Sequence, residues 1–160
     1  MPKRSRIKIL FVCHGNICRS PAAECVFAAL ASRQGAAGLF EIDSAGVSNE
    51  HGGDAPYPDT QGVLRSRGYE VFGRSRQVMA RDAQHFDHIV CMDRQNLRAL
   101  LSRGFPAARL SLLRAHDPLA QHDEVGDPWG YPEKFEGMLD VIEPACRALL
   151  AKLIREGSPA

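Results

Sequence analysis

The segment Ile7 to Val12, IKILFV, carries one polar residue in six. A strand with one face in water alternates apolar and polar residues, whereas a strand that is apolar throughout must be covered on both faces. Strands of that kind lie inside parallel sheets with helices packed above and below. The residues that follow, CHGNICRS, are mostly polar or small, and PAAECVFAALA then sets Ala22, Val26, Ala29 and Leu30 at helical spacing. The chain therefore begins as strand, loop and helix. Ser20 reads as the helix N-cap, Pro21 as its first helical residue and Glu24 as support for the first turn.

The same alternation continues. Gly35 and Gly38 close the first helix, and LFEIDSAG at 39–46 reads as a second strand. Residues 47–58 are rich in Gly, Pro, Asn, Asp and Ser and read as a surface loop. A short helix is expected over 60–67, stopped by Gly68, and a third strand within HFDHIVCMD at 85–93. A helix over 94–103 stops at Gly104, RLSLL at 109–113 is a fourth strand, and 114–130 is a loop with two Asp-Pro pairs. Apolar residues at helical spacing predict a last helix over 135–153, with Pro144 as a point of kinking. The expected architecture is a single three-layer α/β domain over 1–160. Its central, mostly parallel four-stranded sheet has helices on both faces and a phosphate-binding loop after the first strand. Residues 1–6 read as a short basic tail, because the apolar run behind them is too short for a signal-peptide core.

Bulk properties remove several functions. The net charge of +1 supplies no field for nucleic acid or membrane binding, and no stretch nears the roughly 20 apolar residues of a membrane span. The odd set of five cysteines lacks the spacing of a disulfide scaffold, which favours a reducing, cytoplasmic setting. Cys25, Cys91 and Cys146 lie in apolar segments and read as buried thiols. No second ligand cluster at zinc-like spacing follows Cys13, His14 and Cys18, so no metal and no cofactor is expected.

In sheets of this class ligands bind outside the carboxyl ends of the strands, where CHGNICRS lies. The helix start behind it offers free N–H groups and a positive dipole end. Gly15 and Asn16 are candidates for left-handed backbone that turns N–H groups inward as a nest. Arg19 adds a bidentate fork suited to phosphate oxygens, and the same surroundings favour a nucleophilic thiolate at Cys13. Cys18 reads either as a packed thiol or as a partner that forms a disulfide with oxidised Cys13, since the curled loop brings the two together.

The spacing Cys13-x5-Arg19-Ser20 resembles the low-molecular-weight protein tyrosine phosphatase family, whose loop reads C-x-G-N-x-C-R-S. Gly15, Asn16 and Cys18 match it, and Pro21 and Glu24 extend the match. DSAG at 43–46, FDHIVCMD at 86–93 with Asn96-Leu97, and DPWG at 127–130 continue the likeness along nearly the whole chain. The resemblance implies that Cys13 attacks phosphorus to form a phosphocysteine, with Arg19 and the loop N–H groups holding the oxygens. Ser20 would hydrogen-bond the Cys13 sulfur, Asn16 would hold the loop through Ser20 and Ser44, and Asp127 would serve as acid and then base. Ile17 and Trp129 would wall the substrate slot, with His14 at its rim and Tyr131 as a further aromatic. The implied partner is a phosphotyrosine-containing protein; bacterial relatives often act on tyrosine kinases. The protein itself is expected to be a monomer.

The chain also departs from the family's pattern. Gly73 stands where the family usually has a histidine, so Arg74 or a water would complete the Asn–Ser network. Asn49-Glu50-His51 occupies a rim where relatives often carry an aromatic. Asp117, in the other Asp-Pro pair, is a rival acid but lacks the following aromatic, and D-P-W-G also fits a type I turn. Three alternative functions use the same features. Protein arginine phosphatases favour Thr where Ile17 stands. Arsenate reductases need two further cysteines in a mobile segment, which Cys91 and Cys146 do not supply. An inactive phosphate-binding module would have no use for Cys13, Arg19 and Asp127 together.

Overall fold

A computed structural model describes residues 5–157. Four strands, β1 (Ile7–Cys13), β2 (Phe40–Gly46), β3 (His88–Cys91) and β4 (Leu110–Leu112), form one sheet in the order β2-β1-β3-β4, and every pairing is parallel. The expected mostly parallel sheet is thus wholly parallel. Among the described residues five helices accompany it: α1 (Arg19–Arg33), α2 (Pro58–Ser66), α3 (Asp82–His85), α4 (Arg94–Ser102) and α5 (Phe135–Gly157). The one-turn α3 has no counterpart in the expected elements, and the 3-10 turns Ala37–Leu39, Ala107–Arg109 and Leu113–His116 take Leu39, Arg109 and Leu113 from the ends of the second and fourth expected strands. Gly38 falls in the first of these turns, so Gly35, with φ of 69°, closes α1 alone. The longest helix runs through Pro144 and ends four residues later than its apolar pattern suggests.

Alternate residues of β1 feed two separate cores. Ile9, Phe11 and Cys13 pack with α1 and α5, while Leu10 and Val12 pack with Phe86, Leu100 and Leu112 on the other face. Ile9 through Val12 are fully buried, which answers the requirement set by IKILFV. Arg67, just past α2, is gripped by Glu136 at 2.6 Å, by Asp140 at 2.8 Å and by Glu143, which ties α2 to α5.

This order places the loop after β1. The chain crosses from β1 to β2 on one side and then to β3 on the other, so strand order reverses beside β1. A crevice opens at the carboxyl ends where that happens. Cys13 ends β1 and pairs in register with Gly46 at the end of β2. A Cβ on Gly46 would lie 2.8 Å from the His14 carbonyl oxygen, 3.0 Å from that of Ser48 and 3.1 Å from the Asn16 nitrogen. All three are backbone atoms, so no side chain fits between β2 and the loop. Among the described residues no helix is long and apolar enough to cross a membrane. Residues 1–4 of the expected tail lie outside the described residues.

Candidate active site

Residues 13–18 turn tightly from β1 into α1. Asn16 has φ of 56°, the only positive value at a non-glycine residue among those described, and its short amide makes that conformation tolerable. Gly15 does not share it. Its missing side chain serves a close approach instead, since a Cβ there would sit 3.1 Å from His51 Cδ2. No side chain caps α1, so the free N–H groups of its first turn remain for a bound anion.

Ser20 is therefore not the helix cap. Its Oγ lies 3.0 Å from Cys13 Sγ and accepts a hydrogen bond from Asn16 Nδ2 at 2.8 Å. The other hydrogen of that amide goes to Ser44 Oγ at 3.0 Å, and Asn16 Oδ1 accepts the backbone N–H of Arg76 at 3.0 Å. An N–H at Oδ1 fixes which way the amide faces. The one hydrogen of the Ser20 hydroxyl has two acceptors in reach, Cys13 Sγ at 3.0 Å and the Ala45 carbonyl oxygen at 3.5 Å, and the sulfur is the nearer. The expected contacts of Asn16, Ser20 and Ser44 are all present, behind the loop rather than in the pocket.

Where a histidine was missing, the structure supplies a carboxyl. The Ser44 hydroxyl donates to Glu24 Oε1 at 2.6 Å, and Arg74 reaches the Gly53 carbonyl oxygen instead of the network. Glu24 lies beyond the first turn of α1, so its expected helix-starting role gives way to this one. Gly73 borders the carboxyl, a Cβ there lying in ordinary contact at 3.6 Å from Glu24 Oε1, and its φ of 97° is what favours glycine at that position. Burial pushes the Glu24 carboxyl up to about 7; the Ser44 hydrogen bond and Arg76 draw it down, and Asp43 raises it further. A carboxyl more basic folded than unfolded stabilises the fold fully below its ordinary range, and that contribution fades as pH rises through about 7. Glu24→Gln should therefore gain stability relative to the parent between pH 5 and pH 8, by on the order of 3 kcal/mol. Urea midpoints at the two pH values check this; parallel changes in both proteins would refute it.

Arg19, buried to 3% exposure, is positioned by groups the motif did not indicate. Its Nη1 donates to Asp93 Oδ2 at 2.6 Å and to the Val125 carbonyl oxygen at 2.9 Å. Asp93 stands two residues beyond β3, where its carboxylate also accepts the Asn96 N–H while Asn96 Oδ1 accepts its own, a capping box for α4. The one hint in the sequence was that Asp-x-x-Asn box directly after a strand. With Nη1 engaged on the protein side, the edge formed by Nε and Nη2 is left to grip an anion.

Eight of the expected site residues open on one pocket of about 580 Å³, its mouth included: Cys13, His14, Gly15, Ile17, Cys18, Arg19, Asp127 and Trp129. Glu50 and His51 complete it. Asp127 stands 3.8 Å from Arg19 Nη2, and its Oδ1 accepts the Trp129 N–H at 3.1 Å, so the turn and the site placement coexist. Asp117 faces a different depression and accepts the Leu119 N–H. His14 pairs with Glu50 at 3.1 Å, both well exposed. Tyr131 lies outside the pocket, under Lys134 at 4.2 Å, so Trp129 is the aromatic wall without it. Burial pushes the Cys18 thiol up to about 12, helped by the charge at Cys13.

A nucleophile, an anion cradle and a carboxylate facing one slot suit transfer of a phosphoryl group to sulfur. The comparisons agree. Residues 8–158 match the model of the low molecular weight phosphotyrosine protein phosphatases. The low molecular weight protein-tyrosine-phosphatase YfkJ of Bacillus subtilis is 39% identical over 153 residues, covering 94% of this chain and 97% of its own. The low molecular weight phosphotyrosine protein phosphatase of Sus scrofa is 39% identical over 150 residues, covering 91% of this chain and 94% of its own. The crystal structure of YfkJ superposes with a TM-score of 0.92 over 98% of this chain and 100% of that one, at 38% identity. The protein tyrosine phosphatase of Entamoeba histolytica, with Hepes in its active site, gives 0.89 at 35% identity over 95% and 99%. The chain belongs to the low molecular weight phosphotyrosine protein phosphatase family.

Proposed function

We propose that the protein hydrolyses phosphotyrosine in protein substrates through a phosphocysteine at Cys13. The observation that carries this reading is that Cys13, Arg19 and Asp127, from the ends of β1, α1 and the 114–130 loop, face one slot lined by Ile17 and Trp129. The sulfur attacks phosphorus as the bond to the tyrosyl oxygen breaks, and Asp127 gives that oxygen its proton. Asp127 then takes a proton from water, whose oxygen attacks phosphorus while the P–S bond breaks. The Ser20 hydroxyl, aimed at Cys13 Sγ, supports the departing thiolate. Arg19 and the loop N–H groups hold the equatorial oxygens throughout.

The related chemistries are less well served. Ile17 puts an apolar branched side chain where arginine phosphatases favour a threonine. Cys91 and Cys146 are fully buried, one in β3 and one in α5, far from the mobile thiols an arsenate reductase needs. Phosphotyrosine should exceed phosphoserine, phosphothreonine and phosphoarginine in kcat/KM by at least about tenfold, roughly 1.4 kcal/mol of transition-state discrimination. Matched phosphopeptides assayed in a metal chelator decide it; comparable efficiency on phosphoserine or phosphoarginine would defeat the reading.

A further inference from the structure

The carboxyl of Asp127 is half exposed, and its own contacts are the Trp129 N–H within the same turn and a 3.8 Å approach to Arg19. Neither fixes where the 126–131 segment stands relative to Cys13. The Trp129 ring does make such contacts: its centroid is 4.9 Å from that of Tyr57 and 5.5 Å from that of His51, each tilted by 47°. The Tyr57 ring also lies 5.8 Å from that of Phe135, the buried first residue of α5. The backbone of Tyr57 is tied elsewhere. Its N–H donates to the Ile17 carbonyl oxygen at 2.8 Å, inside the phosphate loop, and its carbonyl accepts the Gln61 N–H in α2. One residue thus joins the loop that holds the nucleophile to the turn that holds the acid.

We propose that Tyr57 is a positioning residue for the proton donor: its ring, packed at a tilt against Trp129 and in contact with Phe135, sets the distance between Asp127 and the oxygen leaving Cys13-bound phosphorus. This rests on Asp127 being the acid. Proton transfer needs heavy atoms within hydrogen-bond reach, and displacement by about 1 Å costs up to about 10²-fold. The ring rather than the hydroxyl carries the role, because no hydrogen bond from Tyr57 Oη occurs among the described residues. His51 also meets the Trp129 ring, but its side chain lies against Gly15 and is 28% exposed.

The readout is the dependence of kcat/KM on the basicity of the leaving group, measured with p-nitrophenyl phosphate, phenyl phosphate and phosphotyrosine. Tyr57→Leu keeps apolar bulk against Phe135 and removes the ring face. It should lose about tenfold or more on phenyl phosphate and phosphotyrosine and less than about threefold on p-nitrophenyl phosphate. Tyr57→Phe should match the parent, and Tyr57→Leu should bind inorganic phosphate as the parent does. Tyr57→Leu combined with Asp127→Ala should be no more sensitive to the leaving group than Asp127→Ala alone. A uniform loss on all three substrates, or weakened phosphate binding, would overturn the positioning role and leave Tyr57 a packing residue. A steep dependence in Asp127→Ala with none in Tyr57→Leu rejects Tyr57 alone. A flat dependence in Asp127→Ala removes the acid assignment, and this proposal with it.

Discussion

Cys13→Ser is expected to lower turnover by about 10⁴-fold or more while leaving phosphate binding intact. The hydroxyl that replaces the thiol is not ionised at neutral pH and is a poor leaving group from phosphorus, so both half-reactions fail. Binding survives because nothing that grips the oxygens depends on the sulfur. Arg19 is held by Asp93 and the Val125 carbonyl oxygen, and the loop by Asn16 and by the N–H groups of Val47 and Ser48 just after β2. Inorganic phosphate should therefore bind Cys13→Ser as tightly as the parent. Turnover of p-nitrophenyl phosphate and calorimetric titration with phosphate measure the two halves. Near-parental turnover in the variant would mean that another group attacks phosphorus.

The second large effect is expected at Asp127. A leaving oxygen needs a proton more as it becomes more basic, and tyrosine is a worse leaving group than p-nitrophenol. Asp127→Ala should slow phosphotyrosine hydrolysis by about 10²–10⁴-fold and p-nitrophenyl phosphate hydrolysis by clearly less. Asp117→Ala should change neither, because Asp117 accepts an N–H of its own loop and stays out of the pocket. If Asp117→Ala showed the graded loss and Asp127→Ala did not, the roles would be exchanged.

The candidate nucleophile and cradle are legible in sequence because both lie within one contiguous stretch, and a strand, a tight loop and a helix start leave it little choice of shape. The groups that make the cradle work come from elsewhere. Asp93 reaches Arg19 because a parallel sheet brings strand ends together whatever their separation along the chain, and Val125 because its N–H donates to the carbonyl oxygen of the neighbouring Met92. Glu24 is ambiguous in sequence for a related reason: acidic residues near a helix start are common, and the path of β2 is what brings Ser44 to this one. Ser20 shows the same limit. Its type and position fit a cap, yet the tertiary partners Cys13 and Asn16 take the hydroxyl that the helix would have used.

The burial of the remaining sulfurs has a bearing on how the protein meets reactive chemicals. Burial pushes the thiol of Cys25 up to about 11 and those of Cys18 and Cys91 to about 12, and raises Cys146 as well. Of the five, only Cys13 and Cys18 open on the pocket, and Cys18 stays protonated there. Towards an alkylating electrophile at neutral pH the chain thus behaves as if it carried one cysteine. A covalent inhibitor or an activity-based probe would label it once, at a position that bound phosphate shields, and the count of adducts would report the fraction of molecules with an empty, intact site.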